Sequence, residues 1–219
     1  MAMITTLSGP SLPPAAGGSP RQLVILLHGY GSDGNDLIGL APFFAQALPH
    51  AEFLAPNAPE RTSMGFGYQW FGITSLDPQL MKAGAARAAV TLDAFIADAL
   101  AARKLNVGQL ALIGFSQGSM MALDRALRLG GSKAIVAFSG MVANPEPRLA
   151  PDAARPPILL VHGTADAVVP FSRLAEAESV LTKAGFPVET QICPGIGHSI
   201  DQAGATRAAQ FLARHLGGA

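Results

Sequence analysis

The sequence predicts a single doubly wound α/β domain, and three observations predict it. Strand-length apolar runs alternate along the chain with segments of helical period. Those runs are apolar throughout rather than at every second residue. That marks strands covered on both faces, hence a mostly parallel sheet with helices on each side. Finally, 219 residues with 49% hydrophobic and 14% charged side chains can bury one sizeable core, and no break in composition argues for a second domain.

Residues 1–20 carry Pro10, Pro13, Pro14 and Pro20 with Gly9, Gly17 and Gly18, which predicts an irregular arm with at most one short strand. The domain proper is expected over residues 21–219. Gln22–Leu27 reads as a continuous apolar strand. Leu37–Leu48 reads as a helix capped by Asn35 or Asp36, and Glu52–Ala55 as a short strand. Residues 84–104 place Ala88, Leu92, Phe95, Ile96, Ala99 and Leu100 on one helical face. Then follow strand Gln109–Phe115, helix Gln117–Leu129, strands Lys133–Ser139 and Ile158–His162, helix Ser172–Ala184, strand Val188–Ile192 and helix Gln202–Leu216.

Between the second strand and the long helix lies a connection, residues 56–82, that fits neither period. Long connections inside compact domains are usually functional or disordered. This one packs Phe66, Tyr68, Trp70 and Phe71 into six positions. It is therefore expected to be an ordered apolar flap rather than a disordered loop, without a large inserted lid domain.

Charge and composition exclude several function classes. Lys plus Arg and Asp plus Glu each total 15, so nothing points to nucleic acid. No apolar run approaches the ~18 residues of a membrane helix, so no stable membrane insertion is expected. The N-terminus lacks a charged start followed by an apolar stretch, unlike a signal peptide. Cys193 is the only cysteine, which forbids an intramolecular disulfide and makes a cytoplasmic home the default. No cluster of His, Cys and carboxylates has metal-ligand spacing, so neither metal nor organic cofactor is expected.

Gly114-Phe115-Ser116-Gln117-Gly118 matches G-x-S-x-G. The bare pattern is common, and a glycine-rich turn with a capping serine would also satisfy it. Its position between a strand and a helix is what a nucleophile elbow requires. The helix that follows aims its first N–H groups at developing negative charge.

A serine nucleophile needs a base. Of five histidines, His198 stands out: it follows the last strand and is preceded by Gly195 and Gly197. His28 and His162 end strands and are readable as structural, while His50 and His215 sit at helix ends and are expected to be solvated. The acid should fall between serine and histidine in the chain. Asp166, in the loop after a strand, is the candidate. Asp152 lies at the wrong strand edge, and Asp201 is better placed as a helix cap.

A tetrahedral intermediate needs two N–H donors. The backbone of Gln117 supplies one. The loop Leu27-His28-Gly29-Tyr30-Gly31 is expected to supply the other, through Tyr30. The acyl pocket is expected to draw on Phe66, Trp70, Phe71 and Leu76, with Tyr68, Ile73 and Met81 nearby, about half of them packing as core.

These blocks, together with His162-Gly163-Thr164-Ala165-Asp166, Val169-Pro170 and Gly197-His198, resemble the phospholipase/carboxylesterase family of α/β hydrolases, which includes the acyl-protein thioesterases. The resemblance runs from about residue 22 to the end and rests on the order of the blocks. It implies the α/β-hydrolase fold, a triad of Ser116, Asp166 and His198, and oxyanion donors at Tyr30 and Gln117. Family thioesterases tend to have leucine where Tyr30 stands and aspartate where Gly72 stands, so the chain looks closer to bacterial carboxylesterases. The expected activity is hydrolysis of small-molecule esters with short to medium acyl chains through an acyl-enzyme. The alternatives are an acyl-thioesterase or lysophospholipase, and a non-catalytic binding protein on the same fold. The apolar flap also offers a contact for a homodimer.

Overall fold

The computed structural model describes residues 6–73, 77–146 and 148–217. Its main sheet is built from β1 (Ser11–Leu12), β2 (Gln22–Leu27), β3 (Ala51–Leu54), β6 (Leu110–Phe115), β7 (Ala134–Phe138), β8 (Ile158–Gly163) and β9 (Val188–Cys193). These lie in the order β1-β3-β2-β6-β7-β8-β9. All neighbours pair parallel except β1, which lies in the arm and runs antiparallel to β3. A separate antiparallel pair, β4 (Glu60–Arg61) and β5 (Tyr68–Gln69), orders the flap.

The period-two geometry of the strands splits the apolar residues between two cores. Leu23, Ile25 and Leu27 of β2 and Leu112 of β6 face one side. There they meet α3 (Pro78–Arg103), α4 (Gln117–Leu129) and α5 (Ser172–Lys183). Val24, Leu26 and Ile113 face the other side, against α1 (Gly34–Ile38), α2 (Ala41–Ala47) and α6 (Gln202–Leu216). The doubly wound architecture expected from the sequence is therefore present.

The chain leaves β2 for β3 on one side and later returns to place β6 on the other. The strand order reverses at that point, where open α/β sheets bind ligands beyond the carboxyl ends of their strands. Ser116 follows β6 there, and the loop carrying Tyr30 follows β2.

Four local expectations are corrected. The helix expected over Leu37–Leu48 is two short ones: α1 ends at Ile38, and α2 restarts at Ala41 with Pro42 in its first turn, where a missing N–H costs nothing. The cap of α1 is Asp33, whose Oδ1 accepts from the N–H groups of Asn35 and Asp36. The long helix begins at Pro78 rather than residue 84, because the Asp77 carboxylate caps it by accepting from Gln79 and Leu80. Finally, β9 is an edge strand with only Cys193 buried, so it is not covered on both faces.

Phe53 of β3 is fully buried among the second core. Phe53→Ala is expected to destabilise the protein by about 3–5 kcal/mol in urea unfolding. The exposed Val90→Ala should stay within about 0.5 kcal/mol of wild type.

Candidate active site

Ser116 stands at the turn between β6 and α4 with φ 52° and ψ −115°, in the left-handed region that side chains avoid. The turn is held from several directions. The Ser116 N–H donates to the Phe138 carbonyl of β7 at 2.9 Å, and its carbonyl accepts from Met120 at 3.2 Å. Both motif glycines are required by close approach: a Cβ on Gly114 would sit 2.4 Å from the Ser119 nitrogen, and one on Gly118 would sit 1.8 Å from the Leu27 carbonyl oxygen. The loop after β2 lies alongside, since a Cβ on Gly29 would come within 3.3 Å of the Ser116 Cβ. Among the described residues, the Ser116 hydroxyl makes no hydrogen bond to a protein group.

His198 and Asp166 meet. The His198 Nδ1–H donates to Asp166 Oδ2 at 2.8 Å, which leaves Nε2 as the free ring nitrogen. The Asp166 side chain is fully buried, while that of His198 retains 18% exposure. Asp166 Oδ1 accepts from the N–H groups of Val168 and Val169, both at 2.9 Å. Burial pushes the Asp166 carboxyl up. The His198 hydrogen bond and the two backbone donors outweigh that and hold it below the usual carboxylate range. The two loops are stitched together by Thr164 N–H to the Cys193 carbonyl, Ala165 N–H to the Ile196 carbonyl, and Gly195 N–H to the Thr164 hydroxyl.

The other titratable candidates fall elsewhere. Asp201 caps α6, accepting from Gly204, and His162 is buried with Nε2 donating to the Val169 carbonyl. His215, expected to be solvated, is half-buried against the Phe211 ring with its Nε2 unpartnered. Among the described residues no His, Cys, Asp and Glu cluster could hold a metal ion.

Tyr30 and Gln117 each present a backbone N–H that donates to no protein acceptor among the described residues, whereas the neighbouring N–H groups of Gly31 and Ser32 are both used. The Gln117 carboxamide, which sequence reasoning passed over, is buried and clamps the flap: Oε1 accepts from the Trp70 N–H at 2.9 Å and Nε2 donates to the Phe71 carbonyl at 2.7 Å. Its partners lie 46 and 47 positions away in the chain, so no local pattern announces it.

The flap aromatics divide. Trp70 and Phe71 are buried in the core and line no open surface, while Phe66 is 63% exposed. Leu76 lies outside the described residues. The open cavity beside His198 has a volume of about 260 Å³ and is lined instead by Asp36, Leu37, Leu40, Phe115, Ser199 and Ile200. Phe115, unnoticed in the sequence, sets its ring 4.9 Å from that of His198.

His28 has both ring nitrogens committed in the neutral form. Nδ1–H donates to the Gly29 carbonyl at 2.7 Å, and Nε2 accepts from the Ala58 N–H at 2.9 Å. Burial lowers its pKa, partly offset by the Gly29 carbonyl, Asp33 and Asp36. The unfolded chain therefore binds more protons below pH 6.5, so this contribution is complete above 6.5 and is lost as pH falls. Asp166, also lowered, adds a second loss only below its ordinary 3.8. Urea midpoints should fall between pH 7 and pH 5. The variant His28→Gln should flatten that slope, leaving the part due to His215, which burial likewise lowers. An unchanged slope would remove His28 as the source.

A sequence model of the phospholipase/carboxylesterase family matches residues 15–216. The chain is 30% identical over 200 residues to the esterase YpfH of Escherichia coli, covering 90% of this chain and 82% of that one. It is 31% identical over 170 residues to acyl-protein thioesterase 1 of Saccharomyces cerevisiae, covering 69% and 73%. Among solved structures, esterase PE8 superposes with a TM-score of 0.90 at 44% identity, covering 97% of this chain and all of that one. SOBER1 of Arabidopsis thaliana gives 0.72 at 25% identity, covering 90% and 99%. With the α/β-hydrolase fold and a family match across nearly its whole length, this chain is a member of the phospholipase/carboxylesterase family.

Proposed function

We propose that the protein is a serine carboxylesterase acting on small-molecule esters through an acyl-enzyme. Ser116 is the nucleophile, His198 the base, Asp166 its orienting acid, and the N–H groups of Tyr30 and Gln117 the oxyanion donors. The observation that carries this reading is the His198–Asp166 hydrogen bond of 2.8 Å, which leaves Nε2 free at the strand edge where Ser116 is held in a strained turn. The two unpartnered backbone N–H groups support it further.

In the proposed reaction, His198 Nε2 takes the Ser116 proton as Oγ attacks the ester carbonyl. The negative charge on the tetrahedral oxygen is met by the two N–H groups. The carbon–alkoxy bond then breaks, and the proton passes from His198 to the departing alcohol. A water molecule repeats the sequence on the acyl-enzyme and releases the acid. Catalytic hydrogen bonds of this kind often tighten only with substrate present, which fits a Ser116 hydroxyl without a partner among the described residues.

The alcohol departs from the side of His198, so the 260 Å³ cavity there is read as the alcohol pocket. Its apolar lining of Leu37, Leu40, Phe115 and Ile200 suits small organic alcohols. Asp36 on its wall disfavours an anionic one, which ranks a lysophospholipid's phosphate-bearing alcohol below a neutral alcohol. An acyl-thioesterase remains the second reading, because the yeast relative carries that name and the same residues would cleave a thioester. The lone, buried Cys193 fits the cytoplasmic location proposed for the enzyme.

Hydrolysis of p-nitrophenyl esters from C2 to C12 tests the activity. Ser116→Ala should lower kcat on the order of 10⁶-fold and abolish labelling by a fluorophosphonate. Equal rates in the two proteins would favour a binding protein. For esters of anionic alcohols, Asp36→Asn should raise kcat/KM about three- to tenfold relative to neutral ones, the size of one charge removed at close range. An unchanged ratio would take the alcohol away from this cavity.

A further inference from the structure

The two proposed oxyanion donors come from different strands. Tyr30 follows β2 and Gln117 follows β6, and a developing oxyanion is stabilised only while both N–H groups point at one place. Residues 68–71 of the flap bridge the two loops. On one side, the Gly31 N–H donates to the Tyr68 carbonyl at 2.9 Å and the Tyr68 N–H donates to the Ser32 carbonyl at 2.8 Å. The Trp70 indole N–H adds a bond of 3.0 Å to the His28 carbonyl. These three bonds hold the loop on both flanks of Tyr30. On the other side, the Gln117 carboxamide takes the Trp70 N–H and holds the Phe71 carbonyl. Gln117, Trp70 and His28 are all fully buried, so the bonds that Trp70 makes to His28 and Gln117 face no competition from solvent, while Gly31, Ser32 and Tyr68 are half-buried.

The flap also meets the loop without a spare atom between them. Gly67 has φ +66°, and a Cβ there would sit 2.0 Å from the Gly31 carbonyl oxygen. Such contact is what a fixed spacer needs, and a loosely seated cover over a pocket would not require it.

We infer that residues 68–71 act as a splint that sets the spacing of the two oxyanion donors, with the Gln117 side chain as the positioning residue that locks it. This rests on the Ser116 hydrolase reading above. On this account the aromatic flap serves the transition state more than the substrate: Gln117 contributes through its backbone to charge stabilisation and through its side chain to the geometry of both donors. Loss of the clamp should therefore cost kcat and leave KM nearly alone, because the ground-state ester does not depend on the donors' alignment.

Trp70 is the only tryptophan, so its emission reports directly on the seating of the splint. The experiment compares wild type with Gln117→Met, which keeps the length of the side chain and removes its polar atoms. p-Nitrophenyl butyrate kinetics are read beside Trp70 emission and acrylamide quenching. The expected result is a kcat lower by about 10- to 100-fold, below the ~10²–10³ loss of an entire donor, with KM within about twofold. Trp70 emission should shift to the red and its quenching should increase.

Gly67→Ala works from the opposite end without touching the elbow and should produce the same split and the same shift; it decides the matter if Gln117→Met fails to fold. Unchanged kcat in either folded variant overturns the splint, as does a kcat loss with wild-type Trp70 emission, or a loss confined to KM. A wild type that neither turns over esters nor takes up a fluorophosphonate at Ser116 overturns the hydrolase reading itself, an outcome distinct from active variants.

Discussion

The structure depends on one backbone constraint, the left-handed turn at Ser116. A non-glycine residue at φ 52° carries strain on the order of 1–3 kcal/mol and persists only where its surroundings over-determine it. Here they do. The turn is bonded to β7 through Phe138, α4 is buried along most of its length behind it, and the motif glycines allow β2 and the helix backbone to close around it. The parallel register that pairs Leu27 with Gly114 brings the end of β2 to the same height. The strain is thus offset by the central strands, the least yielding part of a doubly wound sheet. In return the serine is presented at the edge where the strand order reverses.

Electrostatics at the site turn on one buried charge, the Asp166 carboxylate, and on which partner each nearby histidine meets. Asp166 is buried yet kept ionised by three donors, and it holds His198 in the tautomer with Nε2 free. His162 stands 3.4 Å from the same carboxylate oxygen but spends its Nε2–H on the Val169 carbonyl, so it supports the loop. His28 is buried neutral at the start of the loop after β2, both nitrogens used for backbone contacts. Three histidines near one strand edge therefore have three fates, decided by which carbonyl or N–H each one meets.

The flap illustrates where composition misleads. A run holding Phe66, Tyr68, Trp70 and Phe71 is apolar enough to line a pocket or to fill a core, and burial free energy favours both about equally. The fold sends Trp70 and Phe71 inward and leaves Phe66 outside. The open cavity beside His198 is built from Leu37, Leu40 and Ile200 instead, residues whose helical or capping context reads as ordinary packing.

What the sequence by itself determined is much of what local chemistry dictates: the alternation of elements, the bounds of β2, α4 and α6, the strand–turn–helix around Ser116, the family, and the place of Asp166 and His198 in loops after strands. These follow from periodicity, turn residues and chain order, which act between near neighbours. The break between α1 and α2 is also local, since Pro42 lacks the N–H that a continuous helix would use, although the apolar pattern runs on through it. Tertiary structure alone decided the contacts between distant segments: Gln117 against Trp70 and Phe71, Tyr68 against Ser32, Phe115 against His198, and the lining of the cavity. The physical reason is that a buried polar side chain such as that of Gln117 must find partners, and which carbonyl and N–H come within 3 Å of it is set by how the elements pack, a quantity no spacing along the chain encodes.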